Sequence, residues 1–399
     1  MKKLFCYLSF LLLLLSCTQE SGDYVVEETK DILDRITVSK VTRSSYDDGN
    51  NPAPGDALAI EGKDKFSDND LLYISQLGSS TDPNFNTDAT TNLYVYKYQE
   101  NENANWEEEY NFVCDNSSEA LSWPSINNFG SVGNSFSLYA MSFPGNEITF
   151  SIAKDQTGDD ENPYDPVNFL KSDILGAYHA TSALYTRLRF NLFHLMSYLK
   201  ITLYVPVYKD DGHSSYSGYK DDAMQSGYIL NAFEKFMIDW RANRSSDTEA
   251  PLTYGTGNST SIKMYMHEPD YKEIELEDVT NYFGASTLET DIVKAYNFSV
   301  LFPARNSTDK TNVSLCFLLQ NIDGQIKYYY FESNQITTGN YIPAQGTLQQ
   351  LYLYLPRKNN TAILVGAKIL PWGNSSTDMT VTEQKTDYIN DEITGSESY

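Results

Sequence analysis

"LRFNLFHLMSYLKITLYVPVY", residues 188–208, is the longest apolar-rich run of the chain outside its N-terminus. It fails as a membrane span, because Arg189, His194 and Lys200 fall inside it and Arg187 borders it. Read as a helix, Leu192, Leu195, Met196, Leu199 and Leu203 share one face. Read as a strand, Phe193, Leu195, Ser197, Leu199, Ile201, Leu203 and Val205 alternate with His194, Met196, Tyr198, Lys200, Thr202 and Tyr204. Upstream, Leu188, Phe190 and Leu192 fall in the opposite phase. One slip at Leu192–Phe193 is what a bulge produces, or a strand leaving one core for another. The β-branched end and Pro206 decide for a strand, long and bent, that opens a second domain.

The rest of the chain carries the same period. "RITVSKV" (35–41), "NLYVYKYQ" (92–99), "SFSLYAMSFPG" (135–145), "YNFSVLFPAR" (296–305), "NVSLCFLLQ" (312–320), "IKYYYFES" (326–333), "LQQLYLYLPR" (348–357) and "TAILVGAKILPW" (361–372) are short apolar segments. Turn formers border them, most densely in "DDGNNPAPGD" (47–56). Several run into proline, which ends or edges a strand because it donates no ladder hydrogen bond. The 31 tyrosines suit sheet surfaces, where a ring packs and its hydroxyl stays wet. The pattern predicts an all-β chain of sandwich type with little helix. The best helical spacing is in "GYILNAFEKFMIDW" (227–240), at Ile229, Ala232, Phe233, Phe236 and Met237, and a strand pair accounts for it equally.

The N-terminus has the form of an export leader. Lys2 and Lys3 precede an apolar stretch from Leu4 to Leu15, about twelve residues against the ~20 that span a bilayer. "LLSC" has the form of a lipobox, which makes 1–16 a lipoprotein signal peptide and Cys17 the site of diacylglyceryl and acyl modification. Several acyl chains, at ~0.8 kcal/mol per buried methylene, anchor a protein without a spanning helix. Residues 17–34 form an acidic tether. The formal charge of −25 disfavours nucleic acid and anionic lipid surfaces as partners. Cys114 and Cys316 are expected to be separate buried thiols.

Catalytic and metal signatures are missing from the sequence. His179, His194, His213 and His267 make no zinc spacing, and His194, opposite the apolar face of its strand, is expected to have a structural or surface role. The acidic runs "DKFSDND" (64–70), "WEEEY" (106–110) and "GDDENPYDP" (158–166) do not fit a calcium loop and read as solvated. No nucleophile elbow, phosphate loop or dinucleotide fingerprint occurs. No enzyme activity, metal or cofactor is expected.

"RITVSKVTRSS…PGDALAI", "LYVYKYQ…W" and "LSWPS…FSLYAMSFPGN" resemble, in that order, the N-terminal domain of the fimbrillin-like (Mfa-like, FimA-type) lipoproteins of Bacteroides-type bacteria. "DILGAYHATSALYTRLRFNLFHLMSYLKITLYVPV" resembles the segment opening their second domain, and "AILVGAKILPW" their last core strand. The resemblance implies two β-sandwich domains of transthyretin-like topology, at 35–175 and 176–375, with a tail at 376–399. It also implies an outer-membrane, surface-exposed lipoprotein that acts as a subunit of a type V pilus, or fimbrium. Subunits of that kind join by strand addition after an arginine-specific cut. On this chain the cut follows Arg43, or alternatively Arg35, and Ile36, Val38 and Val41 mark the strand at stake. The donor strand comes from the C-terminus, where "DMTVTE" (378–383) alternates. Partners are other fimbrial subunits, membrane lipid through Cys17, and a host or bacterial surface glycan or protein. The alternative is a monomeric glycan-binding lipoprotein that uses exposed aromatic residues.

Overall fold

In a computed structural model the described residues are 32–33, 35–39, 52–57, 59–60, 66, 70–77, 93–99, 109–114, 121–122, 136–143, 152–159, 161–181, 188–190, 192–208, 218–239, 252–284, 291–303, 313–332, 346–356 and 360–371. The deciding run is strand, not helix, and it comes in three pieces: β9 (Leu188–Phe190), β10 (Phe193–His194) and β11 (Met196–Pro206). The first two pieces are the opposite edges of one sheet and the third belongs to another, so the phase slip at Leu192–Phe193 falls between the two edges and the change of sheet follows at Leu195. Leu195 is the pivot: it is buried, donates its N–H to Ile174 O and fills the space where Gly176 lacks a Cβ.

The first sheet uses β2 (Arg35–Ser39), β3 (Leu71–Leu77), β4 (Leu93–Gln99), β5 (Glu109–Val113), β7 (Phe136–Phe143) and β8 (Leu175–Thr181) besides β9 and β10. Its order is β10-β8-β7-β3-β4-β5-β2-β9. The two end strands are consecutive in the chain, so the sheet curls until its ends lie close together. A separate pair joins β1 (Ile32–Leu33) to β6 (Leu121–Ser122).

The second half is a sandwich. One layer comprises β14 (Tyr265–Met266), β15 (Ile274–Glu275), β16 (Ile292–Pro303), β19 (Thr347–Tyr354) and β20 (Ile363–Pro371) around β11, in the order β14-β16-β11-β19-β20 with β15 also on β16. The facing layer is β13-β12-β17-β18, from β12 (Met224–Asp239), β13 (Leu252–Lys263), β17 (Ser314–Gln320) and β18 (Ile326–Glu332). Leu199, Ile201, Leu203 and Val205 of β11 enter the core shared with Phe298, Phe317 and Leu315. The Phe298 and Phe317 rings meet at 5.5 Å between centroids. Each such fully buried apolar side chain stabilises by ~1.5–3 kcal/mol. The prolines mark strand ends as the sequence implies: Pro206, Pro303 and Pro371 are the last residues of β11, β16 and β20.

Of the two readings left open at 227–240 the helical one is overturned, since the residues up to Asp239 lie in β12, one long strand. Register shifts between Ile229 and Ala232 and between Phe233 and Lys235 insert extra residues. The first puts its extra residue in β12 and resets the in–out phase there, so that Ile229 and Ala232 recur three apart, as on a helix, while the second puts its extra residue in β13. Among the described residues two short helices escaped the sequence reading: α1 (Val167–Lys171) and α2 (Leu276–Phe283). In α2, Leu276, Val279 and Phe283 pack together on the outer face of the six-stranded layer, and Gly284 ends the helix at φ 61°.

Both faces of β11 are buried along all eleven residues. The polar set of the alternation therefore does not face solvent. It faces a third layer made by α2 and residues 52–57 and 59–60.

Candidate functional site

β2 occupies an interior slot. It pairs antiparallel with β5 from Arg35↔Val113 to Ser39↔Glu109, and parallel with β9 at Ile36↔Leu188, Thr37↔Arg189 and Val38↔Phe190. Parallel neighbours need a long crossover, so β9 holds β2 through no local hairpin. Without β2, two ladder edges, β5 and β9, would face each other across an empty strand position. That geometry is a receptor for one extended peptide of about five residues, with an antiparallel partner on one side and a parallel one on the other.

Of the residues singled out from the sequence, Arg35 is the first of β2 and is paired, while Ile36 and Val38 sit at its centre with partners on both sides. Cys17, Arg43, Val41 and the 378–383 segment lie outside the described residues. His194 is structural: its Nδ1 meets Asp173 Oδ1 at 2.9 Å and both are buried. Cys114 and Cys316 are buried and are not joined in a disulfide. In the acidic run at 158–166, Asp159 Oδ1 accepts the N–H groups of Glu161 and Asn162, and so shapes a turn. Among the described residues no three His, Cys, Asp or Glu side chains gather as a metal site, and no helix is long and apolar enough to cross a membrane.

A second feature escaped the sequence reading. Just downstream of β2 in the chain, residues 52–57 and 59–60 lie on the outer face of the six-stranded layer and run opposite to β11. Asp56 pairs with Lys200, and both side chains are almost wholly buried. The Asp56 carboxylate also accepts Thr202 Oγ1 at 3.0 Å and Tyr352 OH at 2.9 Å. Asn297, Thr202 and Tyr352 are registered neighbours across β16, β11 and β19, so the aspartate sits over a single rung of the sheet. Nearby, Ser299 Oγ lies 2.9 Å from Tyr198 OH and 2.8 Å from His267 Nε2. Burial, and then the nearby Lys200 charge, push His267 down to about 3, so its ring is neutral. The Ser299–His267 pair is wholly enclosed, which fits a structural polar network better than catalysis. The available signals were Pro54-Gly55, a turn dipeptide, and a lysine inside an apolar strand.

No family model matches the chain, and no curated protein matches it. Solved structures give distant likenesses. A candidate cell adhesion protein from Bacteroides uniformis has a TM-score of 0.39 at 13% identity, covering 85% of this chain and 97% of that one. The tip fimbrial protein Mfa3 from Porphyromonas gingivalis gives 0.35 at 8%, covering 85% and 100%. The fimbrial anchor protein Mfa2 from the same organism gives 0.32 at 9%, covering 85% and 99%.

Proposed function

We propose that this chain is a structural or adhesive subunit of a cell-surface fimbrium, exported, lipidated at Cys17 and assembled by strand exchange. The observation that carries the reading is the slot of β2, a short strand near the N-terminus that fills an interior position between β5 and β9. Release of β2 exposes backbone donors and acceptors on both sides, and a strand from a neighbouring copy remakes the same bonds. Since each ladder bond is worth only ~0.5–1.5 kcal/mol net, exchange of one strand for an equal one is close to neutral. A longer or better-packed donor then drives assembly.

Arg43 is the better cut than Arg35. A protease takes an extended, unpaired segment, and Arg35 is in the ladder, opposite Val113. Arg43 follows the end of β2 at Ser39, and a cut there releases the whole strand. The donor comes from the chain beyond β20, with "DMTVTE" as the alternating segment. The chain carries no catalytic role in this reading, and its setting is the outer-membrane surface, held by Cys17 acyl chains until processing.

The test uses the purified chain without its lipid, treated with an arginine-specific protease and run on a gel under mild denaturation. Ladders of multiples support strand exchange, and loss of ladders in the Arg43→Ala variant places the cut. A processed chain that stays monomeric overturns the reading.

The second reading, a glycan-binding surface lipoprotein, has its own observation. Ile326, Tyr328 and Tyr330 line the outer face of β18 and are exposed. Tyrosine faces in a row stack on sugar rings. Binding to a neutral glycan array that is lost in Tyr328→Ala/Tyr330→Ala, with no ladders, would favour it.

A further inference from the structure

We infer that residues 52–57 and 59–60 form a permanently seated strap, an N-terminal anchor on the six-stranded layer that stays in place when the β2 slot opens. The purpose of the strap rests on the strand-exchange reading, although its test does not. Its seat is built from side chains of three central strands rather than from a ladder. Tyr204 donates to Pro54 O at 2.9 Å and Asn297 Nδ2 to Gly55 O at 3.0 Å. Ala57 N donates to Asn297 Oδ1 at 3.2 Å and Ile60 N to Tyr198 OH at 3.0 Å. The Asp56–Lys200 pair lies in the middle, enclosed by these contacts.

Local sequence shapes the strap for this seat. Asp56 N–H returns to Ala53 O at 3.0 Å, closing a turn with Pro54 first and Gly55 second of the central pair. Gly55 has φ +73°, the left-handed value that a type II turn needs there. A Cβ on Gly55 would also meet Ile274 Cδ1 at 2.5 Å and Ala295 Cβ at 2.6 Å. Glycine is therefore required twice, by conformation and by close approach. Ala53 is buried with Ile274, Val293 and Tyr354.

The strap and β2 stand on different supports. β2 makes its ladders with β5 and β9, while the strap is held by β11, β16 and β19. Residues 40–51 separate them, a length that reaches up to ~40 Å when extended. Arg43 falls in that interval, so a cut there divides a removable strand from a fixed one.

The test is hydrogen exchange of the full, unlipidated chain at rising urea, reading the amides of Ile36 to Val38 against those of Ala57 and Ile60. Two separate opening curves are expected, with β2 opening at lower urea; a single shared curve overturns the inference. Gly55→Ala should speed exchange at Ala57 and Ile60 by ~10-fold or more while β2 stays within ~3-fold. If that variant does not fold, Tyr198→Phe removes one acceptor and should speed Ile60 alone by a few-fold, roughly. Loosening of β2 to the same degree by either variant would also sink it. After arginine-specific cutting, Ala57 and Ile60 should keep their protection. Should the protease leave the chain unable to form ladders, the strand-exchange reading falls while the separate curves still decide the strap.

Discussion

β2 and β11 occupy the same kind of position with opposite consequences. Each lies between an antiparallel and a parallel neighbour: β2 between β5 and β9, β11 between β16 and β19. β2 has five rungs on one side and three on the other, whereas β11 has eleven and seven. β11 is also enclosed on both faces, and in the chain it lies between β10 of the first sheet and the other strands of its own layer. Ladder pattern alone therefore does not make a strand exchangeable. In the strand-exchange reading, shortness of the ladders and closeness to a cleavable end do.

The widest contrast should come from charge. Lys200→Met leaves Asp56 buried without its partner, and its expected cost is about 3–5 kcal/mol in urea unfolding. The double variant Lys200→Met/Asp56→Asn should recover most of that loss, because no lone charge remains. Proline sharpens the strand comparison directly. Thr202→Pro, at the middle of β11, should cost about 3 kcal/mol or more and threaten folding, as circular dichroism would show. Thr37→Pro in β2 should cost about 1–2 kcal/mol, confined to that strand, and should speed ladder formation after proteolysis.

Acid acts on the β11 side. His267 faces Ser299 and the Tyr265 ring, with the Lys200 charge nearby, and its folded value of about 3 lies below the ordinary 6.5. The unfolded chain therefore binds more protons between those two values. The stabilisation is complete above pH 6.5 and falls by about 1.4 kcal/mol per pH unit as pH drops toward 3. His267→Asn should flatten that slope in thermal melts recorded from pH 7 to 4. The smallest effect belongs to the exposed rim: Tyr328→Ala should change stability by no more than about 0.5 kcal/mol. A larger loss there would mean that β18 packs against something more than its own sheet.

Legibility in the sequence followed the physics of each segment. Alternation over β4 and β18 was visible because one face of each meets the core and the other is exposed, with a period of two. β12 misled, since the bulge between Ile229 and Ala232 shifts its phase and imitates a helix. α2 was hidden by its length, two turns whose residues serve a sheet face that the sequence does not show. Asp56 and Lys200 were separately visible as a turn residue and as a lysine in an apolar strand. Their pairing was not, because 144 positions separate them in the chain.

By itself, then, the amino-acid order determined an all-β chain with proline-ended strands, a turn at Pro54-Gly55 and a strand through the 188–208 run. These are local matters of backbone preference and side-chain period, and neighbours in sequence settle them. Tertiary structure alone decided that the run changes sheets at Leu195, that β2 fills an interior slot, and that the polar face of β11 receives residues 52–57 and 59–60. Such outcomes depend on which distant surfaces meet, and on buried charge being tolerated only where a partner from elsewhere in the chain arrives to meet it.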